Sequence, residues 1–328
     1  MSDSLLVIIN NAAARARLAW PRVREALEKS GVSFREHHTT HAGDAQAQAR
    51  AALRSGTSIV AAVGGDGTLS EVASGFFEAC DALREGELPT AVNASAALAV
   101  LPAGTGDDFA RGLCGGRRAP LGEWVGRLVR HGREVKESGR GSTRSVDLMY
   151  GAADGGARRF VCLNAATLGI GAEVAARVAA QKGATLKLSG EARFALAAVR
   201  ALAAWRERRV RLRVDEGEWT ECRTNLIAVA NGAYAGGGMN FSPQASTSDG
   251  ALDVVTACGI SRAGIVRELA RIHRGGHVAN PRVRIVRGSR VRIEGFDGDS
   301  LGIEADGDVR GQTPVEFRIM PSALRVVW

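Results

Sequence analysis

The sequence predicts two domains: an α/β domain with a doubly wound parallel sheet, followed by a mainly antiparallel β-sandwich. Three observations predict this fold class. In the first third of the 328-residue chain, apolar strand segments alternate with amphipathic helical segments, which is the pattern of βα units. After about residue 140 the pattern changes to short β-type runs with Asp-Gly turns between many of them, which is typical of a sandwich. The chain is also long enough for two domains of ordinary size.

The first domain is predicted over residues 1–138. Strands are predicted over 5–10, 32–38, 59–63 and 98–101, with helices near 20–30, over 44–55 and directly after residue 65. Asp44 is expected to cap the second helix, and Gly31 and Gly56 to end the first two helices. In a doubly wound sheet of this kind, ligands bind at the carboxyl ends of the strands.

The second domain is predicted over residues 139–318, after a linker rich in glycine and charge at 138–144. Its β-type runs lie at 145–150, 159–164, 209–214, 224–230, 252–257, 282–286, 290–294 and 315–319. Helical patterns interrupt these runs at roughly 172–181, 188–206 and 261–273. The apolar segment 194–205 is too short to span a membrane, and we expect it to pack on the protein or to lie on a membrane surface.

Residues 63–71, Val-Gly-Gly-Asp-Gly-Thr-Leu-Ser-Glu, carry the strongest functional signal. A buried strand ends here in a glycine-rich turn that opens a helix, so backbone N–H groups and the positive end of the helix dipole converge on one point. Such a point binds phosphate. Asp66 is an anion within this site, which is tolerable when a divalent cation lies between it and the phosphates. The turn therefore predicts a metal–nucleotide site.

Residues 102–111, Pro-Ala-Gly-Thr-Gly-Asp-Asp-Phe-Ala-Arg, form a second glycine-rich turn after a buried strand. Gly104 permits close backbone approach, and Thr105 offers a hydroxyl to a phosphate or a sugar. Asp107 or Asp108 is expected to cap the helix that follows. For Asp108 a functional role is an equally open alternative.

Residues 304–308, Glu-Ala-Asp-Gly-Asp, are a third candidate. One interpretation is an ordinary Asp-Gly hairpin turn. The other is a general base with a supporting carboxylate, which a kinase needs in order to accept the proton of an attacking hydroxyl.

The composition narrows the function classes. The formal net charge of +8 favours anionic partners, such as nucleotides, anionic lipids or nucleic acid, but the basic residues form no single tract. The five cysteines are far apart and form no C-x-x-C, which argues against a disulfide framework or a zinc site and favours a reducing cytoplasm. There is no G-x-G-x-x-G after the strand at 59–63 and no G-x-x-x-x-G-K-[ST] in the chain.

These segments together resemble the diacylglycerol kinase catalytic-domain family of lipid kinases, which includes sphingosine kinases and bacterial lipid kinases. Residues 64–68 resemble the family's nucleotide loop, and 102–111 its P-x-G-T-x-N-D-F-A-R segment. Residues 306–308 resemble its C-terminal D-G-E. The similarity covers nearly the whole chain through further matches at 145–148, 164–174, 236–239, 243 and 249–254. Gly-Gly-Asp-Gly-Thr alone is shared with NAD kinases and phosphofructokinases.

The resemblance implies a first domain similar to those of NAD kinases and phosphofructokinases, ATP and Mg²⁺ between the two domains, and a final segment, 319–328, that returns to the first domain. By position, the implied ATP contacts are Asn10, Asn11, Ala12, Ala13, Ala14, Thr39, Gly64, Gly65, Asp66, Gly67, Thr68, Leu69, Ser70, Gly104 and Thr105. The catalytic carboxylates are Asp308 as proton acceptor, Asp306 as its support and Asp66 as the group that orients Mg²⁺. A structural Mg²⁺ is implied at Asp249, with the carbonyl groups of Ser246 and Ala251.

The expected function is therefore that of an ATP-dependent lipid kinase. Its acceptor would be the hydroxyl of diacylglycerol or a related lipid at a membrane surface, and the protein would be cytoplasmic and peripheral to the membrane. No nucleic-acid partner is expected, and a homodimer is left open.

The chain departs from the family pattern at three places. The stretch 10–13 lacks the usual Pro and Gly, Asp107 replaces the usual Asn, and Asp308 replaces the usual Glu and is one methylene shorter. Two alternatives follow: an NAD kinase-like enzyme, against which the segment 102–111 argues, and a catalytically impaired module that binds a nucleotide or a lipid.

Overall fold

A computed structural model of the chain describes residues 5–80, 83–84, 86–181 and 190–328. The first part contains four parallel strands in the order β2, β1, β3, β4. Their bounds are β1 Leu5–Ile9, β2 Arg35–His38, β3 Ile59–Gly64 and β4 Ala97–Pro102. Every residue of β1 and β3 is buried, which explains their uninterrupted apolar sequences.

Among the described residues of this part, five α-helices accompany the sheet: α1 Ala14–Lys29, α2 Asp44–Arg54, α3 Asp66–Ser74, α4 Asp108–Leu113 and α5 Leu121–Ser138. Helix α1 packs beside α5, and α2 packs beside α3. The apolar faces of the helices join the strands in one large core, whose largest fully buried side chains include Phe77 and Phe109. The predicted βα repetition is confirmed.

Three details of the first part differ from the expectations. Helix α1 begins at Ala14, one turn and a half before the predicted start, because the helix formers that precede Trp20 extend the amphipathic pattern. Helix α5 has no counterpart in the predicted elements, since three glycines at positions 122, 126 and 132 interrupt its sequence. Asp44 is the first residue of α2 and does not cap it: its carboxylate accepts hydrogen bonds from the backbone N–H of Thr40, at 2.8 Å, and from His37.

The second part is built from antiparallel strands, as predicted. Their bounds are β5 Thr143–Ala153, β6 Arg158–Cys162, β7 Ala165–Gly169, β8 Arg208–Val214, β9 Thr220–Ala230, β10 Tyr234–Ala235, β11 Met239–Asn240, β12 Leu252–Cys258, β13 Val283–Gly288, β14 Arg290–Gly295, β15 Gly302–Ala305, β16 Asp308–Gln312 and β17 Val315–Val327. In the part of the chain that the structure describes, three α-helices interrupt these strands: α6 Ile170–Ala179, α7 Gly190–Ala204 and α8 Arg262–Ile272.

The strands of the second part pair in the order β16, β15, β7, β9, β8, β14, β17, while β12 and β13 branch from β9 and β5 and β6 branch from β17. They enclose a second core, in which the rings of Phe160 and Phe317 meet edge to face at 6.3 Å. Strand β17 is longer than the predicted 315–319. Its C-terminal end runs parallel to β4, with Arg325 opposite Ala97, so one continuous ladder joins the two parts.

Among the described helices, none is both long enough and apolar enough to cross a bilayer. The predicted apolar segment 194–205 falls within α7 except for Trp205, which follows the helix. Residues 188–189 of the predicted helix 188–206 lie outside the described residues.

Candidate active site

The glycine-rich turn at 64–70 joins β3 to α3, as the sequence predicted. The helix starts at Asp66, and no side chain caps its N-terminus, so the first N–H groups of the helix are available to a ligand. Thr68 is buried at the base of the turn, where its hydroxyl accepts a hydrogen bond of 2.7 Å from the side-chain amide of Asn10. This bond ties the end of β1 to the turn.

The second glycine-rich turn lies directly against the first. A Cβ atom on Gly104 would lie 2.5 Å from the Cα of Gly65, so both backbones approach as closely as they do only because neither residue has a side chain. The expectation that Asp107 or Asp108 caps α4 is wrong. Asp107 accepts a 2.8 Å hydrogen bond from the N–H of Gly104, and Asp108 reaches across to the second domain.

The other residues implied for ATP lie at the same edge of the sheet. The side-chain oxygen of Asn10 accepts the N–H groups of Ala12 and Ala13 at 3.0 and 3.2 Å, and the N–H of Asn11 donates to the hydroxyl of Thr39 at 3.1 Å. The carboxyl ends of β1, β2, β3 and β4 therefore meet at one surface, and the ATP contacts implied for these residues stay predictions.

Two arginines that sequence reasoning missed hold this surface together. Arg15, in the first turn of α1, donates to the carbonyl oxygen of Gly104 at 2.9 Å. Arg118 donates to the carbonyl oxygens of Thr105 and Gly106. Both guanidinium groups place positive charge beside the predicted phosphate site.

Asp66 and Asp108 face each other between the two glycine-rich turns. Asp66 accepts a 3.1 Å hydrogen bond from the N–H of Phe109, and Asp108 accepts one of 2.7 Å from the N–H of Gly237. Burial and the neighbouring charge of Asp108 raise the pKa of Asp66 to about 7, and burial raises the pKa of Asp108. The Oδ1 atom of Asp108 is buried and has no hydrogen-bond partner within the described part of the chain.

This pair fits a divalent cation. Two close carboxylates destabilise each other in a buried site, and oxygen ligands of this kind are those that Mg²⁺ prefers. The unpartnered oxygen of Asp108 supplies a free ligand atom. Of this pair, the sequence predicts only Asp66 as a metal-organising group. It leaves the role of Asp108 open, because the neighbour Gly237 lies 129 residues away along the chain.

The segment 304–308 forms the Asp-Gly hairpin turn that was one of the two interpretations of the sequence, and the general-base role stays a prediction. Asp306 and Gly307 have positive φ angles of 49° and 95°, which form a two-residue hairpin turn between β15 and β16. The carboxylate of Asp306 accepts hydrogen bonds from the hydroxyl of Ser70 at 2.9 Å and from the N–H groups of Leu163 and Asn164 at 2.6 and 3.0 Å. Asp306 therefore connects the glycine-rich turn at 64–70 to the second domain.

The two carboxylates beside Asp306 differ in their environments. The side chain of Asp308 is 58% exposed and forms a 3.1 Å ion pair with Arg310. Glu304 points toward the hydroxyl of Thr167, which donates to it at 2.6 Å. Burial raises the pKa of Glu304 to about 7. The sequence analysis gives Glu304 no role of its own, because nothing in its neighbours along the chain indicates that it is buried.

All these carboxylates line one end of a cavity of about 650 Å³, to which Asp66 and Asp108 contribute from the first domain and Glu304, Asp306 and Asp308 from the second. Most of the remaining wall is apolar and comes from β9, β12, β13 and the helices α6, α7 and α8. It includes Ile170, Val174, Val178, Leu202, Leu226, Val255, Ala257, Ile265, Leu269 and Ile272. A volume of this size holds a ligand of a few tens of atoms. No sequence motif predicts this cavity.

The implied structural cation site lies apart from this cluster. The carboxylate of Asp249 accepts the N–H of Ala251 at 3.2 Å and forms an ion pair with the exposed Arg287, which also pairs with the buried Asp253 at 3.0 Å. Ser246 and Ser248 are hydroxyl neighbours in the same turn. Arg287 already supplies positive charge to Asp249, and a cation at this turn stays a prediction.

The fold and the site define a two-domain protein whose nucleotide-type turns face a cavity in an antiparallel sandwich. Comparison with known families agrees. Residues 4–149 match the diacylglycerol kinase catalytic domain, and residues 166–328 match the YegS C-terminal NAD kinase beta sandwich-like domain. Together the two matches cover nearly the whole chain. The chain belongs to the diacylglycerol kinase catalytic-domain family, and the resemblance seen in the sequence is confirmed.

Individual relatives are distant but extend over the same length. A diacylglycerol kinase of Mycobacterium tuberculosis is 28% identical over 92% of this chain and 86% of its own length. A Pseudomonas aeruginosa protein named "Probable lipid kinase YegS-like" is 29% identical over 99% of this chain and 94% of its own. A crystal structure of a diacylglycerol kinase from Bacillus anthracis str. Sterne superposes with a TM-score of 0.67 at 19% identity, covering 99% of this chain and 97% of that one.

Proposed function

We propose that the protein is an ATP-dependent lipid kinase that phosphorylates the hydroxyl of diacylglycerol or a related lipid alcohol. One observation carries this proposal: the buried pair Asp66 and Asp108 lies where the two glycine-rich turns meet an apolar cavity of about 650 Å³. A phosphate-binding surface on one side and an apolar pocket on the other suit a nucleotide donor and a lipid acceptor.

The first domain would bind ATP at the carboxyl ends of its strands. The free N–H groups at the start of α3 and the turn at 104–105 would hold the phosphates, with Arg15 and Arg118 adding positive charge. Asp66 and Asp108 would hold Mg²⁺, which neutralises the negative charge that develops on the phosphates. The residues at 10–14 and Thr39 would contact the rest of the nucleotide.

In the reaction, the lipid hydroxyl oxygen attacks the γ-phosphorus of ATP. A new O–P bond forms while the bond to the β-phosphate oxygen breaks, and ADP leaves. Asp308 is proposed to accept the hydroxyl proton, because it lines the cavity within the motif turn. Asp306 fixes that turn through Ser70, Leu163 and Asn164. Positioning of this kind supplies much of the rate enhancement.

The second domain would bind the apolar part of the lipid. Each methylene that leaves water for the cavity contributes about 0.8 kcal/mol, so the apolar wall favours acyl chains over a second nucleotide. This observation weighs against an NAD kinase-like acceptor.

Helix α8 forms one wall of the cavity and also exposes two apolar side chains, Val266 and Leu269. Beside them lie the exposed Arg262 and Arg267 and the partly exposed Arg271. An apolar helix face rimmed by arginines suits contact with an anionic bilayer.

The test is a transfer assay. The purified protein is incubated with γ-labelled ATP, Mg²⁺ and vesicles that contain diacylglycerol, with NAD as the acceptor in a parallel reaction. Label on the lipid in the first reaction, and none on NAD in the second, is the expected result. Label on NAD instead would establish the alternative acceptor. Binding of ATP without label on any acceptor would indicate an impaired module and would overturn the proposal.

A further inference from the structure

Two cysteines that the proposed phosphate transfer does not use lie on neighbouring strands of the second domain. Cys222 is on β9, and Cys258 is the last residue of β12. Both are thiols in this structure, and both are partly exposed. The two residues are distant along the chain and belong to no short cysteine motif, so the sequence does not indicate that they are neighbours.

The strand register puts the two thiols on one face of the sheet. Strands β9 and β12 are antiparallel, with Cys258 opposite Thr224. Cys222 lies two positions from Thr224 on β9, and alternate residues of a strand point to the same face. Cys222 is also opposite Val210 of β8 and packs against the second core. Both cysteines therefore lie on the face of the sheet that covers this core.

The cavity is on the other face of the same two strands. Ala257 of β12 and its partner Leu226 of β9 both line it. The cysteine pair is therefore separated from the cavity by the thickness of the sheet, and its chemistry is independent of the lipid site.

A bulge lies between this pair and the rest of the ladder. The register shifts between Ala257 and Cys258, so Asn225 of β9 has no partner on β12. A bulge increases the right-handed twist at its position, which draws diagonal neighbours on antiparallel strands together. The side chains of the two diagonal cysteines meet here: the thiols of Cys222 and Cys258 form a hydrogen bond with each other.

This contact makes Cys258 the more acidic of the two thiols. Its pKa is lowered to about 7, because Cys222 donates a hydrogen bond to its sulfur and because Thr256 and the positive charge of Arg284 act in the same direction, against burial and the charge of Glu207. The same hydrogen bond, together with burial, raises the pKa of Cys222. About half of Cys258 is therefore thiolate at pH 7, and the thiolate is the nucleophilic form.

The groups around Cys258 come from three strands. Arg284 is on β13, directly opposite Thr256 of β12. The backbone N–H of Cys258 donates to the carbonyl oxygen of Arg282 at 3.2 Å, which adds a second arginine nearby. A thiolate beside arginines and a second thiol is the arrangement of cysteines that react with peroxides.

We propose that Cys258 and Cys222 are a peroxide-sensitive thiol pair, which oxidises to a disulfide between β12 and β9. The thiolate sulfur of Cys258 attacks one oxygen of hydrogen peroxide, so that an S–O bond forms and the O–O bond breaks. The hydroxide that leaves takes up the proton that the thiol had released and becomes water.

In the second step, the sulfur of Cys222 attacks the sulfenic acid on Cys258. The S–S bond forms while the S–O bond breaks, and the hydroxyl group leaves with the proton of Cys222 as a second water. One peroxide is reduced, and two thiols are oxidised.

The test is a peptide map of the native protein after peroxide treatment. The protein is treated with an equimolar amount of hydrogen peroxide at pH 7, the remaining thiols are alkylated, and the chain is digested without a reductant. The expected product is one linked peptide that contains Cys222 and Cys258 and is two hydrogens lighter than the sum of the two separate peptides. A dithiol reductant should restore both peptides.

Cys114 is the matched control within the same protein. It is also partly exposed, and its sulfur lies 3.8 Å from the guanidinium group of Arg127. Cys258 is expected to react about threefold faster than Cys114. At pH 7, a pKa of 7 gives a much larger thiolate fraction than that of free cysteine, and the lower nucleophilicity of the more acidic thiolate offsets part of this gain.

Two substitutions of Cys222 separate its two roles. Cys222→Ser keeps a hydroxyl that can donate to Cys258 but cannot form a disulfide, so Cys258 should oxidise at close to the native rate and stop at the sulfenic acid, which dimedone traps. Cys222→Ala also removes the donor. In that variant the rate at pH 7 should fall about threefold, and the increase of the rate with pH should move from about 7 to a higher pH.

Three results would overturn the inference. The first is a native protein in which Cys222 and Cys258 stay unlinked under conditions that oxidise Cys114. The second is a disulfide that joins either residue to a different cysteine. The third is a sulfenic acid on Cys258 that persists in the native protein, because it would show that Cys222 does not reach it. None of these measurements needs turnover, so they do not depend on the proposed kinase function.

Discussion

The two ends of the cleft are built on different principles. At the phosphate end, backbone N–H groups, two buried carboxylates and two arginines lie within short turns at the edge of a parallel sheet. At the other end, side chains from three helices and several strands form an apolar wall. The first end works through charge, and the second works through burial and shape.

Because of this difference, substitutions at the two ends should affect different kinetic constants. In the proposed reaction, the carboxylates at the phosphate end act most strongly on the charge that develops during phosphoryl transfer, so changes there should mainly lower kcat. Residues at the apolar end would contact the lipid before and during the reaction, so changes there should mainly change the KM for the lipid.

The largest effect is expected for Asp66→Asn. The substitution keeps the size of the side chain and removes a charge that would hold Mg²⁺ beside Asp108, so phosphate transfer should fall by about 10³-fold or more. The measurement is kcat at saturating ATP, Mg²⁺ and lipid. Activity within a few-fold of the native value would remove Asp66 from the mechanism.

The control for this variant is its stability as a function of pH without Mg²⁺. The pKa of Asp66 is raised to about 7 in the folded protein, above the value of about 4 of an unfolded aspartate. Its contribution to stability is therefore complete below pH 4 and is lost as the pH rises through about 7. Asp66→Asn should escape this loss, so it should melt at a higher temperature than the native protein at pH 8, with a smaller gain at pH 5.

The next effect tests which carboxylate accepts the proton. Asp308→Asn should lower kcat by roughly 10²–10⁴-fold with little change in ATP affinity, and Asp308→Glu should retain activity or raise it. Glu304→Gln should lower kcat less. A larger loss of kcat in Glu304→Gln than in Asp308→Asn would instead identify Glu304 as the proton acceptor. In that case kcat/KM of the native protein should increase with pH around 7, which is the pKa of Glu304. Measurements of kcat and kcat/KM between pH 5 and 9 decide between them.

The sequence predicts the phosphate end of the cleft well and the apolar end poorly. The turns at 64–70 and 102–108 are continuous in sequence, so their glycines and aspartates are sufficient to indicate a phosphate site. The pairs that join the domains are not continuous: Ser70 and Asp306 lie 236 residues apart. The cavity has no motif at all, because apolar residues on β12 or α8 show the same periodicity whether they face a core or an empty pocket.

A smaller effect is expected at the apolar end. Ala257 on β12 is a small, half-buried residue of the cavity wall, and Ala257→Phe should fill space that an acyl chain would occupy. Each displaced methylene costs about 0.8 kcal/mol, so exclusion of two should raise the KM for a long-chain lipid roughly tenfold over that for a short-chain lipid. The KM for ATP serves as the internal control. Equal effects on both chain lengths would show that the acyl chains bind elsewhere.

The smallest effect is expected at Asp249, outside both ends of the cleft. Its carboxylate pairs with the exposed Arg287, and exposed ion pairs contribute little to stability. Asp249→Ala should therefore lower the melting temperature by a few degrees at most if no cation binds there.

The predicted structural Mg²⁺ would have a larger effect on stability. Millimolar Mg²⁺ should raise the melting temperature of the native protein, because a ligand that binds only the folded state stabilises it. The increase must be measured in the Asp66→Asn background, where the proposed cation site at Asp66 and Asp108 would be weakened, and it should vanish when Asp249→Ala is added. If Mg²⁺ leaves the melting curve of Asp66→Asn unchanged, then Asp249 is a turn aspartate held by Arg287, and cation binding by this protein belongs to the phosphate end.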